Sequence, residues 1–325
     1  MKKWVFVKII SILCLFMLIF TGCASKESFS GTVTGMGTVI SYKIYGKNPD
    51  VVYTQISHMF DEIENACSLT KEGSKINLLN ETGTTDNKYI TEQVEKITPL
   101  LEKSEGKFDY TVGALTTLWN IGFLNAKKPE HNEIEDAVKF VDGSKTMLKD
   151  GTLTLLKGQK VDLGATAKGY ALDKAKEILD LNKVQGAVIT VGGSVLFYGQ
   201  NPSKKDWVCA VKDPFNTNKY LGTFNIKEGF VSTSGSYERF FEENGTKYHH
   251  IIDATTGYPV NTDLVSVTVV CPDGLMSDAL STVCFMVGSE KSKGILTEYN
   301  AQGIFVTKNG EITVVGDIDF EKTVN

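Results

Sequence analysis

Residues 162–173 read Asp-Leu-Gly-Ala-Thr-Ala-Lys-Gly-Tyr-Ala-Leu-Asp. An apolar stretch at 161–163 reads as a strand ending beside Asp162, and a turn of small residues follows. Helical periodicity then runs from about Ala167 to Leu181, with Lys168 in the first turn. A strand passed directly to a helix indicates a fold that mixes both. The free N–H groups and positive dipole end of a new helix suit such a turn to phosphate, and Lys168 adds a point charge. An ordinary tight connection fits the same residues. Neither a Walker A loop nor a GxGxxG fingerprint is present, so the standard nucleotide folds are not indicated.

Outward from this junction, strands and helices alternate irregularly. Residues 32–45, 152–156, 187–191, 207–211, 224–226 and 265–271 read as strands, and 303–315 as a closing hairpin around Asn309-Gly310. Residues 51–68, 92–105, 132–140 and 277–287 read as helices. No repeat or low-complexity linker interrupts them. The pattern favours one interwoven α/β or α+β domain over separable modules.

Lys2, Lys3 and Lys8 precede a run at 9–20 that is apolar except for Ser11, and Thr21-Gly22-Cys23 follows. Spanning a bilayer takes ~20 apolar residues. The run is shorter and reads as the core of a signal peptide. Thr21-Gly22-Cys23 resembles a bacterial lipobox, with Phe20 departing from the usual leucine; an uncleaved anchor is the alternative. On this reading residues 1–22 are a lipoprotein signal peptide, 23–30 a tether lipidated at Cys23, and 31–325 the catalytic domain. Two acyl chains suffice for stable anchoring at the membrane. The protein is then extracytoplasmic.

Removing 1–22 leaves 31 of the 34 basic residues against 39 acidic ones, a net charge of about −8. Such a balance argues against nucleic acid or anionic lipid as a partner by bulk charge. Cys67, Cys209, Cys271 and Cys284 show no zinc spacing or disulfide framework and read as buried free thiols.

Four other segments carry chemistry. Residues 247–260, KYHHIIDATTGYPV, set His249 and His250 side by side; histidine titrates near neutral pH and can move a proton at a reacting centre. Gly192-Gly193-Ser194 follows an apolar strand, where paired glycines let backbone approach a ligand. Ser232-Thr233-Ser234-Gly235 precedes Tyr237-Glu238-Arg239-Phe240, without a GxSxG elbow or an assignable triad acid. Asp278 and Thr282 are four apart, which on a helix places a carboxylate and a hydroxyl on one face as hard ligands for Mg²⁺. An acid stabilising a helix dipole fits that last pair equally.

Taken in order, Gly35-Met36-Gly37-Thr38, Thr111-Val112-Gly113-Ala114-Leu115 with Leu118-Trp119, DLGATAKGYALD, VGGS, STSGSYERF, YHHIIDATTGYP and SDALST span residues 35–282. The set resembles the ApbE family, the FAD:protein FMN transferases. That resemblance implies a mixed α/β (α+β) fold with antiparallel sheets and two interwoven lobes around an FAD site. It also implies a transferase reaction: a threonine or serine hydroxyl of a cell-envelope acceptor protein attacks the FMN-side phosphorus of FAD, and AMP leaves. Mg²⁺ would be held by Asp278, Thr282 and the Ala165 carbonyl. His250 would act on the hydroxyl or the phosphoryl transition state. Asp162 and Lys168 would hold FAD, and Met36, Gly113, Ala114, Leu115, Gly192, Gly193, Ser234, Gly235 and Ile252 would line its pocket. Leu69 and Thr70 stand where many relatives carry an aromatic residue that packs on the ligand. Ala165 replaces a frequent glycine and Ala254 a common proline. A metal-dependent FAD pyrophosphatase and a non-catalytic FAD-binding lipoprotein are the competing readings.

Overall fold

The computed structural model describes residues 27–323, so the expected signal peptide and Cys23 lie outside the described residues. Eight strands form one antiparallel sheet, and their order in space is their order in the chain. They are β1 (Ser28–Gly35), β2 (Thr38–Tyr45), β3 (Gly186–Val191), β4 (Ser194–Gly199), β5 (Gly229–Gly235), β6 (Leu264–Cys271), β7 (Gln302–Thr307) and β8 (Ile312–Val315). The helices and the strands of the small sheets are carried in the connections between them, except the strand Glu321–Lys322, which follows β8.

Period-two alternation sorts the two faces of this sheet. On β4, Leu196 and Tyr198 point into the main core, while Val195 and Phe197 point to the opposite side. The main core is closed by helices α1 (Pro49–Cys67), α2 (Ala167–Leu181) and α3 (Gly274–Val287), with α2 packed against both others. Trp207, Cys209, Phe224 and Ile226, from a small three-stranded sheet, cover the other face. Every residue of α3 from Gly274 to Met286 is buried. Its sequence is apolar nearly all round, which only a helix inside the molecule can satisfy.

The crossing of α2 and α3 leaves no room for side chains. A β-carbon on Gly169 would lie 2.0 Å from the Gly274 carbonyl oxygen and 2.7 Å from the Asp278 β-carbon; one on Gly274 would lie 2.4 Å from the Gly169 carbonyl. Two backbones thus touch directly, and the position of Asp278 follows from that contact.

The structure has the mixed, largely antiparallel architecture expected, with local differences. Residues 32–45 are a hairpin, because Met36 and Gly37 (φ 51° and 69°) form a left-handed two-residue turn between β1 and β2. The helix expected at 92–105 is two, Lys88–Ile97 and Pro99–Lys103, divided at Pro99. Residues 161–163 are not a strand. The Val161 backbone instead pairs with the Asn80 side chain, donating to Oδ1 at 2.7 Å and accepting from Nδ2 at 3.0 Å. Cys67, Cys209, Cys271 and Cys284 are buried and free.

Gly169→Ala and Gly274→Ala should each destabilise the fold by about 3 kcal/mol or more, since backbone rather than flexible side chain must yield. Gly294→Ala, in helix Ser289–Glu298 with open space around it, should be neutral or stabilise by up to about 1 kcal/mol. Urea unfolding midpoints check both, and equal midpoints for the three variants would refute the crossing.

Candidate active site

The site is organised around Asp278, which is 4 % exposed. Its Oδ1 accepts from Ser194 Oγ at 3.0 Å, and its Oδ2 accepts from the Gly169 backbone N–H at 3.0 Å. Lys168 Nζ stands 3.6 Å from the same Oδ2 and donates to the Gly164 carbonyl at 3.1 Å. Three separate segments thereby converge on one buried carboxylate: the start of α2, the start of β4 and α3.

One helical turn beyond Asp278, Thr282 Oγ1 shares a 3.1 Å hydrogen bond with Ser234 Oγ, which also bonds Ser281 Oγ at 2.7 Å. Asp278 and Thr282 therefore present a carboxylate and a hydroxyl on the same helix face. The structure brings Ser234 of β5 beside them.

The turn before α2 is less open to an anion than its sequence suggests. Gly164 N–H goes to Asp162 Oδ1 at 2.7 Å, and Thr166 and Ala167 N–H go to the Leu163 carbonyl at 3.0 and 2.9 Å. Gly169 N–H is held by Asp278. With those amides engaged internally, the Lys168 ammonium is the main positive group of the turn.

His249 and His250 are distinguished by their hydrogen bonds. The Val260 carbonyl can only accept, so His249 Nε2 must donate to it, at 3.1 Å; His249 Nδ1 then accepts from Ile251 N–H at 3.3 Å. Both ring nitrogens are engaged, and the ring meets Phe285 of α3 edge-on at 5.7 Å. Burial pushes the pKa of His249 down to about 4. His250 Nδ1 donates to the Arg239 carbonyl at 3.3 Å, which leaves Nε2 with its lone pair. Burial of this ring, and then the Arg239 charge, push its pKa down to about 3, and Lys168 contributes in the same direction. His250 is therefore neutral at physiological pH and close enough to Lys168 to sense its field.

Arg239 joins the rim of the site. Its Nη2 donates to the Gly37 carbonyl at 3.3 Å, which ties the Met36-Gly37 turn to the His250 segment. Glu238 is held above the usual carboxylate range by burial and by Asp278, against the opposing pull of Lys168. Its Oε1 lies 3.4 Å from where a β-carbon on Gly193 would be. Glu238, Arg239 and Gly169 lie within the quoted motifs but are not among the expected site residues, because each acts through a contact with a distant segment. Ser194 was visible only as the polar end of the glycine pair.

The remaining expected residues divide into two groups. Gly192, with φ 58°, turns tightly over Thr38, and Ala165 and Ala114 are half-buried. By contrast, Leu115 and Ile252 are buried with Trp119, Ile121 and Ile134 in a satellite core. Gly113 sits against the Lys160 carbonyl, and Gly235 is covered by the Tyr237 ring. All four are buried. Leu69 packs partly against the main core.

A model of the ApbE family matches residues 36–305. The chain belongs to the ApbE family. Among similar proteins, the FAD:protein FMN transferase of Treponema pallidum (strain Nichols) is 32 % identical over 303 residues, covering 86 % of this chain and 84 % of the relative. The FAD:protein FMN transferase of Klebsiella pneumoniae (strain 342) is 29 % identical over 298 residues, covering 89 % and 92 %. The crystal structure of the ApbE protein from Thermotoga maritima matches with a TM-score of 0.82 at 31 % identity, over 89 % of this chain and 97 % of that one. The flavin transferase ApbE from Vibrio cholerae matches at 0.78 and 22 % identity, over 90 % and 98 %, a likeness of fold. Of the motifs quoted from the sequence, DLGATAKGYALD, VGGS and SDALST meet at Asp278.

Both histidines have folded pKa values below their ordinary one, so the fold resists protons that the unfolded chain accepts. Their contribution is complete above pH 6.5 and is lost as pH falls toward 3–4. His249→Gln should therefore lose less stability than wild type between pH 7.5 and 4, by on the order of 3 kcal/mol. Urea titrations at the two pH values measure this. An unchanged pH dependence would mean that His249 is not held neutral.

Proposed function

We propose that this chain transfers FMN from FAD to a threonine or serine hydroxyl of a partner protein, with Mg²⁺ present and AMP released. FAD:protein FMN transfer is the activity carried in the names of its relatives. The observation that carries the finer reading is the neutral His250, its Nε2 unengaged, beside the Lys168–Asp278 cluster.

The donor set suits magnesium. Asp278, Thr282 and the Ala165 carbonyl are hard oxygen ligands with a single negative charge, which leaves coordination positions for water and substrate phosphate. Among the described residues there is no cluster of three His, Cys, Asp or Glu side chains, so the site is no carboxylate cage. Asp278, Thr282 and Ala165 would hold the ion, which when bound would supply positive charge to offset that of the diphosphate.

The chain's own groups supply the rest. Lys168 meets the anionic diphosphate. Ser194 and Gly169 hold the Asp278 carboxylate in place, so it cannot swing toward the ammonium alone. His250 Nε2 accepts the proton as the acceptor oxygen bonds to the FMN phosphorus and the phosphorus–oxygen bond to AMP breaks. A pKa near 3 makes His250 a weak base before substrate arrives; the incoming negative charge raises it toward the working range. The acceptor belongs to the cell envelope, where Cys23 would anchor this protein to the membrane.

Incubation with FAD, Mg²⁺ and an envelope acceptor should leave flavin fluorescence on the acceptor in a denaturing gel. Free FMN and AMP without labelling, or unchanged FAD, would overturn the transfer reading. His250→Ala should keep FAD binding and lose transfer by at least about 100-fold; near-normal turnover would remove His250 from the chemistry. Asp278→Ala should lose both activity and its stimulation by Mg²⁺. Cys23→Ala should abolish membrane attachment, which fractionation and lipid labelling measure.

A further inference from the structure

Asp173 lies outside the catalytic cluster, on the face of α2 that borders a cleft of about 320 Å³. Its two carboxylate oxygens accept from the backbone N–H groups of Gly274 and Leu275, at 2.7 and 2.8 Å. Those are the first two amides of α3. The third-position amide, Met276, is already capped from within its own chain segment by Asp273 Oδ1 at 2.9 Å. A helix start needs caps for its free donors, and a residue just before the helix ordinarily provides them. Here two of them are satisfied by a different helix, in a bidentate contact that fixes both distance and rotation.

The spacing makes this contact reciprocal. Gly169 and Asp173 are four apart on α2, and Gly274 and Asp278 are four apart on α3. Gly169 gives its N–H to Asp278, and Asp173 receives the N–H of Gly274. Between these two bonds the backbones touch at Gly169 and Gly274. A slide of α3 along α2 would break both bonds together and draw Asp278 away from Ser194.

We infer that Asp173 is a positioning residue: it clasps the start of α3 to α2 and thereby sets the axial position of Asp278 in the site. The groups facing it are Asp273 before α3, Lys96 on helix Lys88–Ile97, Cys271 at the end of β6, and Tyr170 and Lys174 on its own helix. Burial, and then the neighbouring Asp273 charge, push its pKa up to about 6. Ionised Asp173 therefore opposes stability: its contribution is complete below pH 3.8 and is lost as pH rises through 6. Below pH 6 the clasp takes up a proton, and by the same linkage this favours the clasped arrangement over one in which Asp173 is released to water.

Amide hydrogen exchange tests the clasp without requiring any activity. In Asp173→Asn at pH 7.5, peptides covering Ala167–Tyr170 and 276–282 should exchange at least ten times faster than in wild type. Strand Leu264–Cys271 should be unchanged. Wild type at pH 5, corrected for intrinsic rates, should exchange no faster in the first two peptides than at pH 7.5. Asp173→Glu, which keeps the charge at a different reach, gives the same comparison if the asparagine variant does not fold. Equal exchange in variant and wild type, or acceleration spread evenly over the whole chain, would overturn the inference. A second measurement rests on the transferase reading. The half-saturating Mg²⁺ for AMP release should rise about tenfold, with the KM for FAD within twofold, and slowing of exchange at 276–282 by Mg²⁺ alone should weaken in parallel. An unaltered magnesium response with altered exchange would overturn the link between clasp and site. If wild type releases no AMP, the transferase reading fails and the exchange comparison still decides the clasp.

Discussion

The contact between the backbones of Gly169 and Gly274 governs the site more than any side chain does. Helices usually pack 8–10 Å apart, with side chains between them. Two glycines remove that spacer where α2 crosses α3. The gain is positional: a carboxylate on one helix comes within hydrogen-bond reach of a main-chain donor on the other. Such closeness is tolerable because α3 is buried along nearly its whole length and is enclosed by the sheet, α2 and helix Ser289–Glu298. The surrounding packing holds the helix in place, and the glycines decide where along its length it is held.

This arrangement explains how a buried charge is accommodated. An ionised carboxylate inside a protein is costly unless hydrogen bonds and an opposite charge compensate it. Asp278 has a hydroxyl from the start of β4 and an amide and a nearby ammonium from the start of α2. The partner groups are rigid where they are backbone and adjustable where they are Lys168. The neighbouring imidazole is kept uncharged by the same enclosed, cation-rich surroundings. The site therefore holds its electrostatic pattern before substrate arrives, which is how polar groups act most strongly on developing charge.

Sequence reasoning reached the elements whose cause is local. Alternation located most strands, and the period of Ala167–Leu181 gave α2 its observed limits. The four-residue spacing of Asp278 and Thr282 put both on one face of a helix. What it missed depends on segments far apart in the chain. Alternation gives a strand its faces but no partner, so the pairing of Ile40 with Val191 was not legible. Gly169 carries no local mark of its role, because its neighbour, Gly274, is fixed only by the tertiary crossing. Leu115 and Ile252 were expected in the pocket on the strength of their motifs, and their side chains lie in a satellite core that no local pattern announces. The family resemblance separates His250 from His249 by motif alone, and the physical basis of that difference lies in Val260 and Arg239, whose carbonyls accept their protons.

The chain-order sheet has a consequence for synthesis. β1 and β2 can pair as soon as they emerge, but residues 46–185 must follow before β3 can join them. At about 5–20 residues per second that interval is on the order of ten seconds. Throughout it, the inner edge of β2 offers unpaired N–H and C=O groups to any other strand nearby. The nascent protein must therefore be shielded from association while its longest connection is being made. The turn carrying Met36 is among the first pieces of the site to form, and it waits for the rest of the chain before it borders anything.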